Sequence, residues 1–464
     1  MQLPNPLKTL PFIQKLHWVA DPVGYMQKAS QQYPDIFTGS MVGFGDTVVF
    51  VNHPQGIQEI LTNDRKQFTA PGRFNRIGEP IVGNSSIAML DDSFHKKRRQ
   101  LLMPPFHGER MRAYGQIICN LTEKVFSQLP VEQPFLACVA MQDIALQVIL
   151  QTIFGLYEGD RYQQIKHLLA SLLDVFSSPL TSSFLMFPFL QKDLGAWSIW
   201  GRFLRLRQQI DELLYAEINE RRQKFDPDRI DILSLLMSAR DEEGKVMTNQ
   251  ELRDELILMM FSAKETTAIS MAWVLYWTHY KPEVLKKLLE EFDTLGDSPD
   301  PMSIFRLPYL TAVCNESLRI HPFLILTLPR VVQEPARLLG YLLEPGTVVA
   351  GCIYLTHHRE DLYPEPNQFK PERFLERQFS TYEFLPFGGG SRRCIGEALA
   401  LFEMKLVIAT VVSRYQLALV NREPERLHRR GFGIGPTSGI KMLIHGQRKP
   451  HKSLVSAATV PAIT

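Results

Sequence analysis

The stretch Phe387-Gly-Gly-Gly-Ser-Arg-Arg-Cys-Ile-Gly396 sets one cysteine, Cys394, among four glycines, with Arg392 and Arg393 just before it and an amphipathic helical run, Glu397 to Arg414, just after. A cysteine at the mouth of a helix meets the positive end of the helix dipole and unpaired backbone N–H groups, and both favour an ionised sulfur. Gly388, Gly389, Gly390 and Gly396 allow a tight loop that a flat ligand can approach closely. Phe387 would lid such a site against water. A lone cysteine in this setting reads better as an ordinary buried residue beside a glycine loop, since free cysteine is among the most buried residue types. What favours a ligating thiolate here is that five positions are fixed within ten residues.

The spacing Phe387-x-x-Gly390-x-Arg392-x-Cys394-x-Gly396 resembles the haem-binding signature of the cytochrome P-450 family. The resemblance covers nearly the whole chain and implies a mainly α fold with small β-sheets (α+β). It would be a triangular, helix-rich domain holding haem b (iron protoporphyrin IX) between a long central helix and the cysteine loop. Cys394 would be the metal ligand, with Phe387, Arg392 and Gly396 beside the cofactor. One haem domain over residues 1–445 is expected, without a fused reductase. The tail 446–464 lacks periodicity and reads as disordered.

Composition excludes other classes. The chain has 464 residues, 45% of them hydrophobic, and a net charge of +2, which invites no nucleic-acid reading. Cys119, Cys138, Cys314, Cys352 and Cys394 are odd in number and scattered, which argues against a disulfide framework or a zinc site. The N-terminal segment is broken by Pro4, Pro6, Lys8, Pro11 and Lys15, so it holds neither a signal-peptide core nor a membrane span. Its apolar residues are expected to pack on the body, with peripheral membrane contact left open. Leu256 to Trp277 is the stretch long enough to suggest a span, but Lys264 and Glu265 at its middle favour a buried helix. A soluble, cytoplasmic monomer is expected.

Along the chain, Asp21 to Tyr33 reads as a helix, Ile36 to Val51 as a strand pair about Gly45-Asp46, and Pro54 to Thr62 as a helix. Residues 69–88 read as a long loop, which in the family borders the substrate pocket. Ser93 to Met103 is a helix with His95 and Arg99 on one face; alone the pair is equally a basic solvated face, but the resemblance sets it against the haem propionates. Residues 110–220 are helix-dominated, and Leu172 to Trp200, rich in Phe, Leu, Met and Trp, reads as core or as the roof of a substrate channel. Phe225 to Met247 is a polar connection around one short helix.

Thr248 with Glu251 forms a capping box opening a helix to about Tyr280. On it, Ser262, Thr266 and Ser270 form a polar stripe. These hydroxyls either bond carbonyls one turn back or, as the resemblance implies, face a distal haem pocket where Thr266 positions dioxygen and water and Glu265 supplies protons. Ser262-Ala263 stands where the family has Ala-Gly, so Ser262 is read as holding a water near the iron. Glu316-x-x-Arg319, followed by Arg373 in Pro371-Glu-Arg-Phe374, resembles the family's structural Glu-Arg-Arg lock. Between these motifs Leu324 and Leu326 would face substrate and Arg330 would reach a propionate. A hairpin turning at Pro345-Gly346 follows.

The resemblance implies a haem-thiolate monooxygenase that uses dioxygen, an apolar substrate, and electrons from a separate donor such as ferredoxin with its reductase. Lys96, Lys97, Arg98 and Arg393 either dock that donor or form a solvated basic run. The pattern looks like the cyanobacterial branch that hydroxylates long-chain fatty acids, alkanes or terpenoids, and fatty-acid hydroxylation is the expected activity. The alternatives are a terpenoid or retinoid-like substrate, a haem-thiolate peroxygenase or isomerase, and a non-enzymatic haem carrier or sensor. The Glu265-Thr266 pair counts against the last two.

Overall fold

A computed structural model describes residues 3–448 except 44, 107–109, 176–180, 182–183, 185–187, 227 and 297–298. The expected disordered tail therefore falls outside the described residues from 449 onward, while the strand Lys441–Gln447 carries order past residue 445. Of the segment expected as core or channel roof, Leu172 to Trp200, residues 176–180, 182–183 and 185–187 also fall outside them.

The central helix, Asn249–Tyr280, opens on the expected capping box. The Thr248 hydroxyl accepts from the Glu251 N–H at 3.2 Å, and the Glu251 carboxylate accepts from the Thr248 N–H at 2.8 Å. At 1.5 Å per residue its 32 residues reach about 48 Å. It packs against Ala137–Phe154 on one side and against Glu397–Arg414 on another. Among the described residues, Ala137–Phe154 is the one helix long and apolar enough to cross a membrane, and 78% of it is buried inside the protein. The sequence had suggested Leu256–Trp277 instead. Both helices are buried nearly all round, which removes the periodicity that marks a surface helix. For the same reason Glu397–Arg414 is not amphipathic, because Phe402 to Val412 are all buried.

A five-stranded sheet stands apart from this helical body, in the spatial order Ile36–Gly39, Val48–Val51, Val348–Gly351, Arg330–Val332 and Phe68–Thr69. The first two are the expected strand pair, antiparallel with Ile36 opposite Val51. The single hairpin expected at Pro345-Gly346 is two nested ones. Arg330–Val332 pairs with Val348–Gly351, and inside it Ala336–Leu338 pairs with Tyr341–Leu343 across Leu339 and Gly340, both at positive φ. Residues 69–88 are not plain loop, since Gly72–Gly78 is a 3-10 helix and Glu79–Val82 a helical turn. The proline-broken N-terminus also yields a helix, Pro11–Ala20, because Pro11 sits in its first turn where no N–H is needed. It buries Gln14 and Trp18 but leaves Leu10, Phe12 and Leu16 exposed, so the expected packing holds for one face only.

The expected lock forms in full. Arg319 donates to both Glu316 oxygens at 2.7 and 2.9 Å, and Arg373 Nε donates to Glu316 Oε1 at 3.1 Å. The remaining guanidinium N–H groups are spent on the carbonyls of His357, Gln368 and Pro364. His357, which sequence reasoning missed, continues the chain of bonds. Its Nε2 accepts from the Leu385 N–H at 3.0 Å, which leaves Nδ1 protonated and donating to the Arg319 carbonyl at 3.2 Å. Leu385 stands two residues before the glycine-cysteine loop, so the lock fixes where that loop begins.

Glu316 is fully buried, so removing its charge strands two guanidinium groups. Glu316→Gln is expected to cost about 3–5 kcal/mol in urea unfolding followed by circular dichroism. A midpoint equal to wild type would show that the pairs carry no net stability.

Candidate active site

The glycine-cysteine loop is shaped by its backbone. Gly388 and Gly390 have φ of +67° and +65°, where a side chain strains the chain. A Cβ at Gly390 would also strike the Asp64 carboxylate. Asp64 is a further residue that sequence reasoning missed: it accepts from the Ser391 N–H at 2.5 Å and faces Arg330 Nη2 at 3.4 Å. The Cys394 N–H donates to the Phe387 carbonyl at 3.0 Å, closing the loop.

Beside this loop lies a cavity of about 500 Å³. It brings together every expected cofactor residue, namely His95, Arg99, Arg330, Phe387, Arg392, Cys394 and Gly396. Ser262, Glu265, Thr266, Leu324 and Leu326 line it as well. The lock residues Glu316, Arg319 and Arg373 stand outside it, as a structural role requires.

Cys394 is open to the cavity but otherwise enclosed by protein. That burial pushes its thiol up, and the Gly396 N–H with Arg99 and Arg393 only partly opposes it. The expected bias of the helix mouth toward thiolate is therefore outweighed. The helix begins three residues later, at Glu397, so its dipole acts at a distance.

Next to the cysteine the charges are strongly one-sided. Burial and then the charge of Arg392 hold His95 down to about 3, so it is neutral. Burial and then Arg330 bring Arg392 down to about 10. Arg330 is lowered by burial despite Asp64, and its buried Nε has no hydrogen-bond partner among the described residues. Arg99 is lowered as well, first by burial. Such a cradle wants anions. Arg392 itself is engaged, donating to the carbonyls of Ala70 and Leu90 at 2.6 Å and of Ile87 at 3.1 Å, so it ties the 70–90 segment to the cysteine loop.

Haem fits this set. The orphaned Arg330 Nε and the repelling cations would be met by two propionates, with His95 and Arg99 alongside. Among the described residues no group of three His, Cys, Asp or Glu could hold a bare metal ion, so an iron on Cys394 would take its other ligands from a porphyrin.

On the opposite wall the stripe makes the local bonds anticipated as one alternative. The Thr266 hydroxyl donates to the Ser262 carbonyl at 2.6 Å, and that of Ser270 to the Thr266 carbonyl at 2.8 Å. Their protons are engaged, and the hydroxyl oxygen of Thr266 remains an acceptor toward the cavity. Glu265 accepts from Gln142 Nε2 at 2.8 Å and pairs with Arg430 at 3.3 Å. Neither partner carried a signal in the sequence.

Most of the basic run is ion-paired within the protein. Arg98 is buried on the inner face with His95, where it pairs with Glu255 at 2.8 Å and with Glu251. Lys97 pairs with Glu243 at 3.0 Å, and Arg393 pairs with Glu397 through two bonds of 2.6 and 2.7 Å. Only Lys96 lacks a partner among the described residues.

Glu403 was also missed, although a charge inside the run ALALFEMKLVIATVV is a legible oddity. It lies 3% exposed on the helix after the cysteine and lines the cavity, and Oε1 has no partner among the described residues. Burial alone pushes its carboxyl up to about 8.

A sequence model of the cytochrome P450 family matches residues 4–442. The chain is 32% identical over 427 residues to cytochrome P450 135B1 of Mycobacterium tuberculosis, covering 91% of this chain and 87% of that one. It is 29% identical over 452 residues to cytochrome P450 138 of Mycobacterium bovis, covering 96% of each. Among solved structures, retinoic acid bound cyanobacterial CYP120A1 superimposes with a TM-score of 0.84 at 21% identity, over 96% of this chain and 99% of that one. The cytochrome P450DA heme domain does so at 0.82 and 21%, over 97% and 98%.

The folded chain holds the Glu403 proton more tightly than the unfolded chain. Its contribution is thus fully present below the ordinary value of 4.5 and is lost as pH climbs toward about 8. Glu403→Gln is expected to flatten the fall of stability across that window, worth on the order of a few kcal/mol at the upper end. Urea midpoints at about pH 5, 6.5 and 8 measure it, and parallel curves for the two proteins would refute the assignment.

Proposed function

The chain belongs to the cytochrome P450 family and is a haem-dependent monooxygenase, and we propose that it hydroxylates long-chain fatty acids. The observation that carries the substrate reading is the wall of the cavity beyond Thr266. Leu258, Met259, Phe261, Phe323, Leu324 and Phe432 line it, an apolar surface of the kind that takes an apolar chain. Leu326 continues this wall. The solved neighbour described with retinoic acid bound carries an acid of the same kind, apolar with one carboxylate. A terpenoid or retinoid-like substrate is the second reading, since the same wall would accept it.

Haem b, when bound, supplies the activation of dioxygen that lets one oxygen atom enter a C–H bond. The residues do the rest. Cys394 would ligate the iron from the loop set by the lock. Arg99 and Arg330 would hold the propionates, with His95 as a neutral partner, while Arg392 ties the 70–90 segment to the cysteine loop. Thr266 presents a hydroxyl oxygen over the cavity, Glu265 moves protons toward it, and Ser262 exposes its own hydroxyl beside them. Phe387 and the apolar wall exclude water. The presence of Glu265 and Thr266 in the cavity weighs against a peroxygenase, an isomerase or a passive haem carrier. The family's need for a redox partner applies here; a separate ferredoxin with its reductase, one haem domain over residues 1–445, and a cytoplasmic monomer remain part of this proposal.

Titrating the oxidised holoprotein with a long-chain fatty acid is expected to give a saturable shift of the Soret band toward high spin. No shift, with the thiolate-haem spectrum intact, would return the substrate to terpenoids and retinoid-like molecules. Thr266→Ala is expected to lower product formed per electron consumed, and unchanged coupling would remove Thr266 from proton and oxygen handling.

A further inference from the structure

Arg430 ends the strand Leu427–Arg430, next to the turn through Gly431 and Phe432, and lines the cavity with Phe432. Its Nε lies 3.3 Å from Glu265 Oε2, each side chain being about one-fifth exposed. Neither of these two buried atoms makes a hydrogen bond among the described residues, so the pair is close but badly aligned. A guanidinium ordinarily meets a carboxylate as a fork, through two parallel N–H···O bonds. Here that fork is unfilled, and Arg430 donates no side-chain hydrogen bond to the protein among the described residues. Glu265 has a second anchor, Gln142 Nε2 at 2.8 Å on its other oxygen, so it has a place to remain when the pair opens.

We propose that Arg430 is the group that reads the carboxylate of an acid substrate, with Glu265 filling its place in the empty pocket and being released when the acid binds. The proposal rests on the fatty-acid reading and adds where the acid group is recognised. An apolar chain entering the cavity must bury charge or leave it paired. An acid substrate brings its own carboxylate, so Arg430 stays neutralised while gaining the bidentate contact that Glu265 does not make. An ester or alcohol of the same length offers no such exchange and leaves the Arg430–Glu265 pair closed. The released Glu265 is held by Gln142 alone and directly precedes Thr266, so its carboxylate becomes able to move a proton into the cavity when an acid is present. Substrate selection and proton supply would then share one cation.

The test is an optical titration of the oxidised holoprotein with hexadecanoic acid and with its methyl ester, in wild type, Arg430→Gln, Arg430→Lys and Glu265→Gln. Wild type is expected to bind the acid more tightly than the ester. Arg430→Gln should weaken the acid about ten-fold or more, the loss of a charge-assisted contact, and change the ester far less. Arg430→Lys should fall between the two. Glu265→Gln, which removes the internal competitor, should tighten the acid several-fold and weaken the ester, which would then bury an unpaired Arg430.

Equal acid and ester binding in wild type, untouched by Arg430→Gln, would overturn the Arg430 assignment while leaving the fatty-acid reading in place. If neither ligand moves the wild-type Soret band, the fatty-acid reading falls and the assignment falls with it. The reduced carbonyl spectrum shows whether each variant keeps its thiolate haem. Should Arg430→Gln fail to fold, Glu265→Gln decides alone, and unchanged or weaker acid binding there overturns the competition.

Discussion

A carboxylate with no access to water, Glu316, accepts from Arg319 and Arg373 and is held by them at 2.7 to 3.1 Å. Burying these charges is costly, and what makes it tolerable is completeness, because the guanidinium N–H groups left over reach the carbonyls of His357, Pro364 and Gln368. The lock thus determines where residues 357–385 can lie, and through His357 it sets the start of the glycine-cysteine loop. Chemistry at Cys394 depends on a cluster that never touches the cavity.

Around the cavity the opposite principle holds, since its polar groups are left incompletely paired. Arg330 Nε, Glu403 Oε1 and the Arg430–Glu265 contact all lack a hydrogen bond among the described residues. A buried polar atom left unpaired at a cavity wall can take its partner from a molecule bound there. For Arg330 the proposed partner is a haem carboxylate, and for Arg430 it is the substrate's acid group. Even the cysteine follows this rule, because burial works against its ionisation and a metal ion would repay it.

How far this could be read from sequence depended on distance along the chain. The capping box at Thr248, the Glu316-x-x-Arg319 pair and the cysteine loop are local patterns, each fixed by residues within one or two turns, and their expected positions match the structure. Glu265's partners come from residues 142 and 430, and Asp64 acts on residue 391, so no window of sequence holds them together. The same reason explains the basic run, where His95 and Arg98 share a buried helical face whose partners, Glu251 and Glu255, lie more than 150 residues away. Helices buried on most sides gave the other errors: Ala137–Phe154 and Glu397–Arg414 bury residues all round over most of their length, so periodicity has little to register.

Arg392 lies two residues before the sulfur and donates to Ala70, Ile87 and Leu90, while Ile87 and Ala88 form part of the cavity wall. The segment that feels the bound molecule and the segment that holds the iron are therefore a single mechanical part. A shift of the wall at 87–90 would pull, through the Arg392 guanidinium, on the backbone two residues before Cys394.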